Sequence, residues 1–116
     1  MIWLSRVAAV GTVIIVAATS STYAATIMGT GSGDCGSWIK NENGPITASS
    51  QVDWILGFLS ALNSTRPDGL DILAGQSYSG IYLAVHNYCA AHPTRWVVDA
   101  AFDVANQLAN QHRGFK

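Results

Sequence analysis

The chain has two cysteines, Cys35 and Cys89, 54 positions apart. Whether they are joined decides what so short a polypeptide can become. A bridge closing a loop of about 54 residues would, on the chain-entropy account, stabilise the folded state by on the order of 4 kcal/mol. A domain of this size is marginal on apolar burial alone. Disulfides form and persist outside the reducing cytosol, so the first question is whether the chain is exported.

The amino terminus gives the expectation. Met1 to Arg6 carries one positive charge, Val7 to Ala18 is a run of Val, Ala, Ile, Gly and Thr, and small and polar residues follow to Ala25. This is the three-part layout of a secretory signal. Cleavage after Ala24 puts Thr22 and Ala24 at the two small-residue positions. The other reading, a membrane anchor, needs about 20 apolar residues, and the run has about twelve. Residues 1–24 are therefore read as a cleaved signal peptide, with periplasmic localisation and no stable membrane insertion afterwards. In an exported chain an even pair of cysteines is most simply one bridge. A metal site would need more ligands than two lone cysteines without a CxxC.

Beyond residue 24 lie all seven acidic side chains and five of the six basic ones. No basic stripe is present, which argues against nucleic acid as a partner and against a cationic membrane-surface helix. The length allows one domain.

Residues 25–33 are Gly- and Thr-rich and are expected to form a flexible leader. The helical domain is expected over 34–113. A short helix starts after Asp34 as N-cap and runs to about Glu42, where Asn43-Gly44-Pro45 ends it. Ser50, with Asp53 three residues on, suggests a capping box for a second helix reaching Asn63. That helix is apolar on nearly all sides and is expected to be the buried hub, with Ile55, Phe58, Leu59 and Leu62 central. Arg66-Pro67-Asp68-Gly69 reads as a turn, and Leu70, Ile72 and Leu73 should pin the connector 64–76 to the core. A third helix is expected from about Ser77 to Ala91, with Tyr78, Ile81, Val85, Tyr88 and Cys89 at helical spacing. Thr94 should cap a fourth helix over about 95–111. No period-2 stretch is long enough for a strand, so the fold class is all-α: four helices with a disulfide tying the first to the third.

Candidate chemistry is sparse. His86 and His92 lie about 240° apart on one helix, whereas a metal pair prefers i, i+4 spacing. Gly75 to Ser79 lacks the second glycine of a nucleophile elbow and no strand precedes it, so Ser77 reads as an N-cap. Ser77, His86 and Asp99 make a triad on paper only. Asp99 and Asp103 share one helix face instead of flanking a cleft, as glycosidase carboxylates do. Asn63-Ser64-Thr65 is a formal glycosylation sequon. No enzymatic activity, cofactor or metal is expected.

Cys35, the stretch Gly57-Phe58-Leu59-Ser60-Ala61-Leu62-Asn63 on a capped helix, the Asp/Pro-containing loop and Ile81, Val85 and Cys89 together resemble the HdeA-type periplasmic proteins. Those are small helical acid-stress chaperones with one disulfide joining two helices, and the likeness covers about residues 35–105. Cys35-Gly36-Ser37-Trp38, Trp54 to Leu59 and Tyr88-Cys89 also look like a broader group of exported bacterial proteins. That group is similar in fold to the immunity proteins that neutralise type VI secreted peptidoglycan amidases. The resemblance implies a non-enzymatic, chaperone-like binding protein, with an effector-neutralising immunity protein as the alternative. Charged residues make up only 11% of the chain, a sparse titratable set for an acid-triggered chaperone.

One pattern in the fourth helix points to a partner. With Trp96 at 0° and about 100° per residue, its main core lies near 90°, while Val98, Phe102, Ala105 and Ala109 cluster between about 180° and 240°. This second apolar stripe either packs against the leader or the connector, or forms a surface for a partner protein or a second copy of the chain. The partner-binding residues are accordingly read as Val98, Phe102, Ala105 and Ala109.

Overall fold

The computed structural model describes residues 9–15 and 25–114, without the side chains of 45–48. The expected cleavage point at Ala24 lies outside the described residues, as does most of the expected signal segment. Residues 9–15 carry no regular structure and are exposed. No helix among the described residues is long and apolar enough to cross a membrane.

Among the described residues four helices make the domain: α1 (Cys35–Asn41), α2 (Pro45–Ser64), α3 (Tyr78–Ala91) and α4 (Val97–Gly114), preceded by a 3-10 turn at Gly29–Ser32. No strand is present among the described residues; one isolated bridge pairs Asp34 with Trp96. The all-α expectation holds. Cys35, the first residue of α1, is bonded to Cys89 near the end of α3, with the Cα atoms 4.7 Å apart.

The helix ends follow from capping chemistry. Asp34 accepts from Ser37 N at 2.8 Å and from its hydroxyl at 2.9 Å, satisfying a donor that the first turn leaves unpaired. These bonds hold the Asp34 carboxyl below its ordinary pKa. Ser77 accepts from Gly80 N at 3.1 Å and caps α3. In α4 Asp99 lies in the first turn and Arg113 in the last, the order the helix dipole favours.

Two starts differ from expectation. α2 begins at Pro45, well before Ser50, with Gly44 as N-cap. Proline at the first helical position gives up an N–H that has no intrahelical acceptor anyway, so Gly44-Pro45 opens the second helix as well as closing the first. α4 begins at Val97. The backbone ahead of it is engaged elsewhere: Cys35 N donates to Arg95 O at 2.8 Å, Gly36 N to Pro93 O at 2.9 Å, and Val97 N to Gly33 O at 2.9 Å.

The leader is also not the free segment expected over 25–33. Gly29–Ser32 forms a turn that packs on α2 and α4, and Gly31 is buried. The Trp54 indole N–H donates to Met28 O at 2.9 Å. A Cβ on Gly31 would stand 2.0 Å from Trp54 Cη2, so glycine serves here for close approach.

The core is centred on α4 instead of α2. Val97, Val98, Ala100, Ala101, Val104, Ala105, Leu108 and Ala109 are all buried, and α4 packs against α2, α3 and the 3-10 turn. Its alanines let neighbours approach on two flanks. α2 buries Val52, Ile55 and Leu59, while Trp54, Leu56, Phe58 and Leu62 are only half-buried. Its apolar residues run around the helix, and the domain covers one side of it.

The connector is pinned as expected through Ile72, which is fully buried. The Asn63 amide clamps it, donating to Asp71 Oδ1 at 2.8 Å and accepting from Ile72 N at 2.9 Å. Asp68 binds Arg66 and accepts from Leu70 N at 3.2 Å, and Arg113 of α4 lies 3.5 Å from it. The Arg66 hydrogen bond is the main cause that holds Asp68 at a pKa of about 2.

Candidate functional site

The stripe on α4 is divided by the fold. Val98, Ala105 and Ala109 are 5%, 6% and 3% exposed, and Phe102 is 47% exposed. The expectation of a four-residue exposed face is therefore corrected. α2, α3 and the 3-10 turn pack around α4 and bury three of the four, which the helical wheel could not show because it gives an angle and not a neighbour. Phe102, at the margin of that contact, keeps half its ring in solvent.

Phe102 does not stand alone. Its ring meets Phe58 of α2 edge-on, with centroids 5.2 Å apart and planes at 88°. Phe58 in turn stacks on Trp54, with centroids 5.1 Å apart and planes at 13°. These are geometries that aromatic pairs prefer. The result is a line of aromatic surface, Trp54–Phe58–Phe102, crossing from α2 to α4, with the Trp54 indole N–H bound to the Met28 carbonyl of the leader. Sequence reasoning placed Phe58 in the core and gave Trp54 no surface role. The available signal was an apolar set running around a helix in a domain too small to cover all of it.

A second cluster went unread in the sequence. Glu42, the C-cap of α1 and the chain's only glutamate, accepts from the Trp38 indole N–H at 2.9 Å. His86 Nδ1 of α3 lies 2.8 Å from the same carboxylate oxygen. The Glu42 side chain is 11% exposed and that of His86 37%. Tyr82 stacks on His86 at 6.4 Å and tilts against Trp38 at 6.3 Å. Burial first, and then the Glu42 carboxylate beside it, push the Tyr82 phenol above its ordinary pKa.

The remaining candidates do not converge. Ser77 caps α3, His86 pairs with Glu42, and Asp99 accepts from Trp96 N at 3.3 Å, so each member of the paper triad is engaged elsewhere. His92 is bound to Tyr88 O at 2.9 Å and stacks on that ring. Asp103 accepts from Gln107 at 2.5 Å. No group of three His, Cys, Asp or Glu among the described residues could hold a metal. The sequon asparagine is the connector clamp. Cys35 and Cys89 are both fully buried. Comparisons with known proteins return no matching family model, no matching curated protein and no matching solved structure.

Proposed function

We propose that this is an exported, periplasmic binding protein of the HdeA-like, chaperone-like type, acting by contact with other proteins and without catalysis. The observation that carries the reading is the half-exposed aromatic line Trp54–Phe58–Phe102 on a small domain whose first and third helices are clipped by a buried disulfide. Contiguous exposed apolar surface marks interaction sites on stable monomers, and aromatic anchors dominate interface energetics. Such a surface accepts the apolar side chains of a client or of a second copy.

Phe102→Asp is the test. The ring is half exposed, so the substitution should cost about 1 kcal/mol of stability and leave the domain folded. Sedimentation at neutral and acidic pH, together with suppression of aggregation of an acid-labile client, should separate the variant from the parent. If the folded variant self-associates and protects the client as well as the parent does, the aromatic line is not the binding surface.

The alternative, an immunity protein that binds and neutralises a secreted cell-wall-degrading effector, is favoured by one observation. Charged residues make up only 11% of the chain, a sparse titratable set that suits a binder folded throughout better than one loosened by acid. A gene for a peptidoglycan amidase beside this one, whose product forms a stoichiometric complex with the chain that Phe102→Asp breaks, would support the immunity reading.

A further inference from the structure

A cavity of about 290 Å³ lies where the 3-10 turn, α1 and α2 meet. Hydroxyl and amide side chains supply much of its wall: Thr30, Ser32, Ser37, Asn41, Ser50 and Gln51. Trp38 and Val97 add apolar surface, since the one N–H of the Trp38 ring is committed to Glu42. Gln51 is the group that asks for an occupant. Among the described residues it is the buried polar one, 6% exposed, and its Oε1 has no hydrogen-bond partner. Buried amides are nearly always paired, and an unpaired one costs stability that an apolar side chain of the same size would not. Nearby hydroxyls are turned elsewhere: Ser37 Oγ donates to Asp34 and Ser32 Oγ to Gly29 O. A half-turn of the amide exchanges its oxygen with its nitrogen, so the side chain can meet a ligand as acceptor or as donor.

The charges narrow the ligand class. Asp34 is the one charged residue in the wall, and its two oxygens already accept from Ser37 N and Oγ. No basic side chain lines the cavity to hold an anion. The N–H groups that open α1 are taken as well, by Asp34, Pro93 and Arg95. A hard metal cation would want several oxygen ligands, carboxylates among them. The remaining class is neutral, with hydroxyl groups that donate and accept at several points. A cavity of about 150 Å³ holds benzene, so one of about 290 Å³ has room for a six-membered ring with its hydroxyls.

We propose that this cavity binds a neutral polyhydroxylated ligand, one sugar or cyclitol ring in size, with Gln51 as its most buried hydrogen-bonding group. The site stands whether or not the aromatic line binds proteins. A free sugar and the end of a glycan present the same chemistry, and the experiment distinguishes them.

D-Glucose, myo-inositol, maltotriose, D-glucuronate and cyclohexanol are titrated into the protein, with backbone, side-chain amide and indole resonances followed by NMR. Glucose or inositol should shift the side-chain amides of Gln51 and Asn41 and the backbone amide of Thr30. Cyclohexanol, a ring with one hydroxyl, should bind at least tenfold more weakly, and glucuronate severalfold more weakly because Asp34 repels it. Tighter binding of maltotriose than of glucose assigns a glycan end, and the reverse assigns a free sugar. Gln51→Met removes the amide at similar size. It should melt no lower than the parent, because Oε1 has no partner in the unliganded fold, yet lose at least tenfold in affinity. Asn41→Ala, at an exposed position, should weaken binding severalfold. No shift with any of the sugars or inositol, equal binding of cyclohexanol, tighter binding of glucuronate or undiminished affinity in Gln51→Met would overturn the proposal. If Gln51→Met proves unfolded, Asn41→Ala and the cyclohexanol comparison decide alone.

Discussion

Gly31 has a role that its neighbours in the leader do not share. Trp54 lies across the place its side chain would occupy, so any larger residue must lift either the indole or the 3-10 turn. Gly31→Ala should destabilise by about 1–3 kcal/mol, as overpacking does, and chemical denaturation would measure it. An unchanged midpoint would mean that the turn is not docked on Trp54. In the sequence this position is invisible, because a glycine kept for close approach and one kept for freedom look alike in a Gly- and Thr-rich segment. Asp68 is the residue whose ionisation the fold shifts most legibly. Its folded pKa is about 2 against an ordinary 3.8, so its contribution is complete above about 3.8 and is lost as pH falls through about 2. Asp68→Asn should flatten the stability profile between pH 4 and pH 2 and leave its shape at neutral pH unchanged. An acid titration of both proteins followed by circular dichroism decides it.

At the scale of the helices, small residues decide which one is central. α4 has four buried alanines and no buried aromatic residue, and two neighbours therefore reach it closely, whereas α2 has the bulkier side chains and is covered on one side. The helices and the connector turn were readable because periodicity, caps and the Pro-Gly signals act within a few residues. The hub was not, because burial depends on how many neighbours remain to cover a face. Phe102 was legible as the aromatic of a second stripe, but the fate of Val98, Ala105 and Ala109 rested on how α2, α3 and the 3-10 turn pack around α4. The Glu42–His86 pair joins positions 44 apart, and nothing local connects them. A paired comparison tests the assignment of α2. Leu59→Ala, at a fully buried site, should cost about 2–5 kcal/mol, and Leu56→Ala, at a half-buried one, clearly less. Equal losses in denaturant unfolding would restore α2 to the centre.

Across the whole molecule, the bridge joins the shortest helix to a long one and gathers backbone pairing around it. Cys35 N binds Arg95 O and Gly36 N binds Pro93 O, while Cys35 Sγ itself is bonded to Cys89. Residues far apart in sequence thus meet at one corner, where α1, the end of α3 and the approach to α4 are held together. Cys89→Ala should cost about 2–5 kcal/mol, as loss of a native bridge in a small domain does. Intact mass after alkylation of the exported parent should reveal no free thiol, and two alkylated cysteines would remove the clip from the account. Both sulfur-bearing residues are fully buried, and that has a kinetic meaning. A reductant must reach a sulfur in line to exchange with it, and here it has no path until the corner opens. Reduction is then gated by an opening motion of the protein, so its rate should level off as dithiothreitol is raised instead of rising in proportion. Once closed and folded, the chain is shielded from thiol traffic in its surroundings, and its oxidation state records how it folded more than where it later travels.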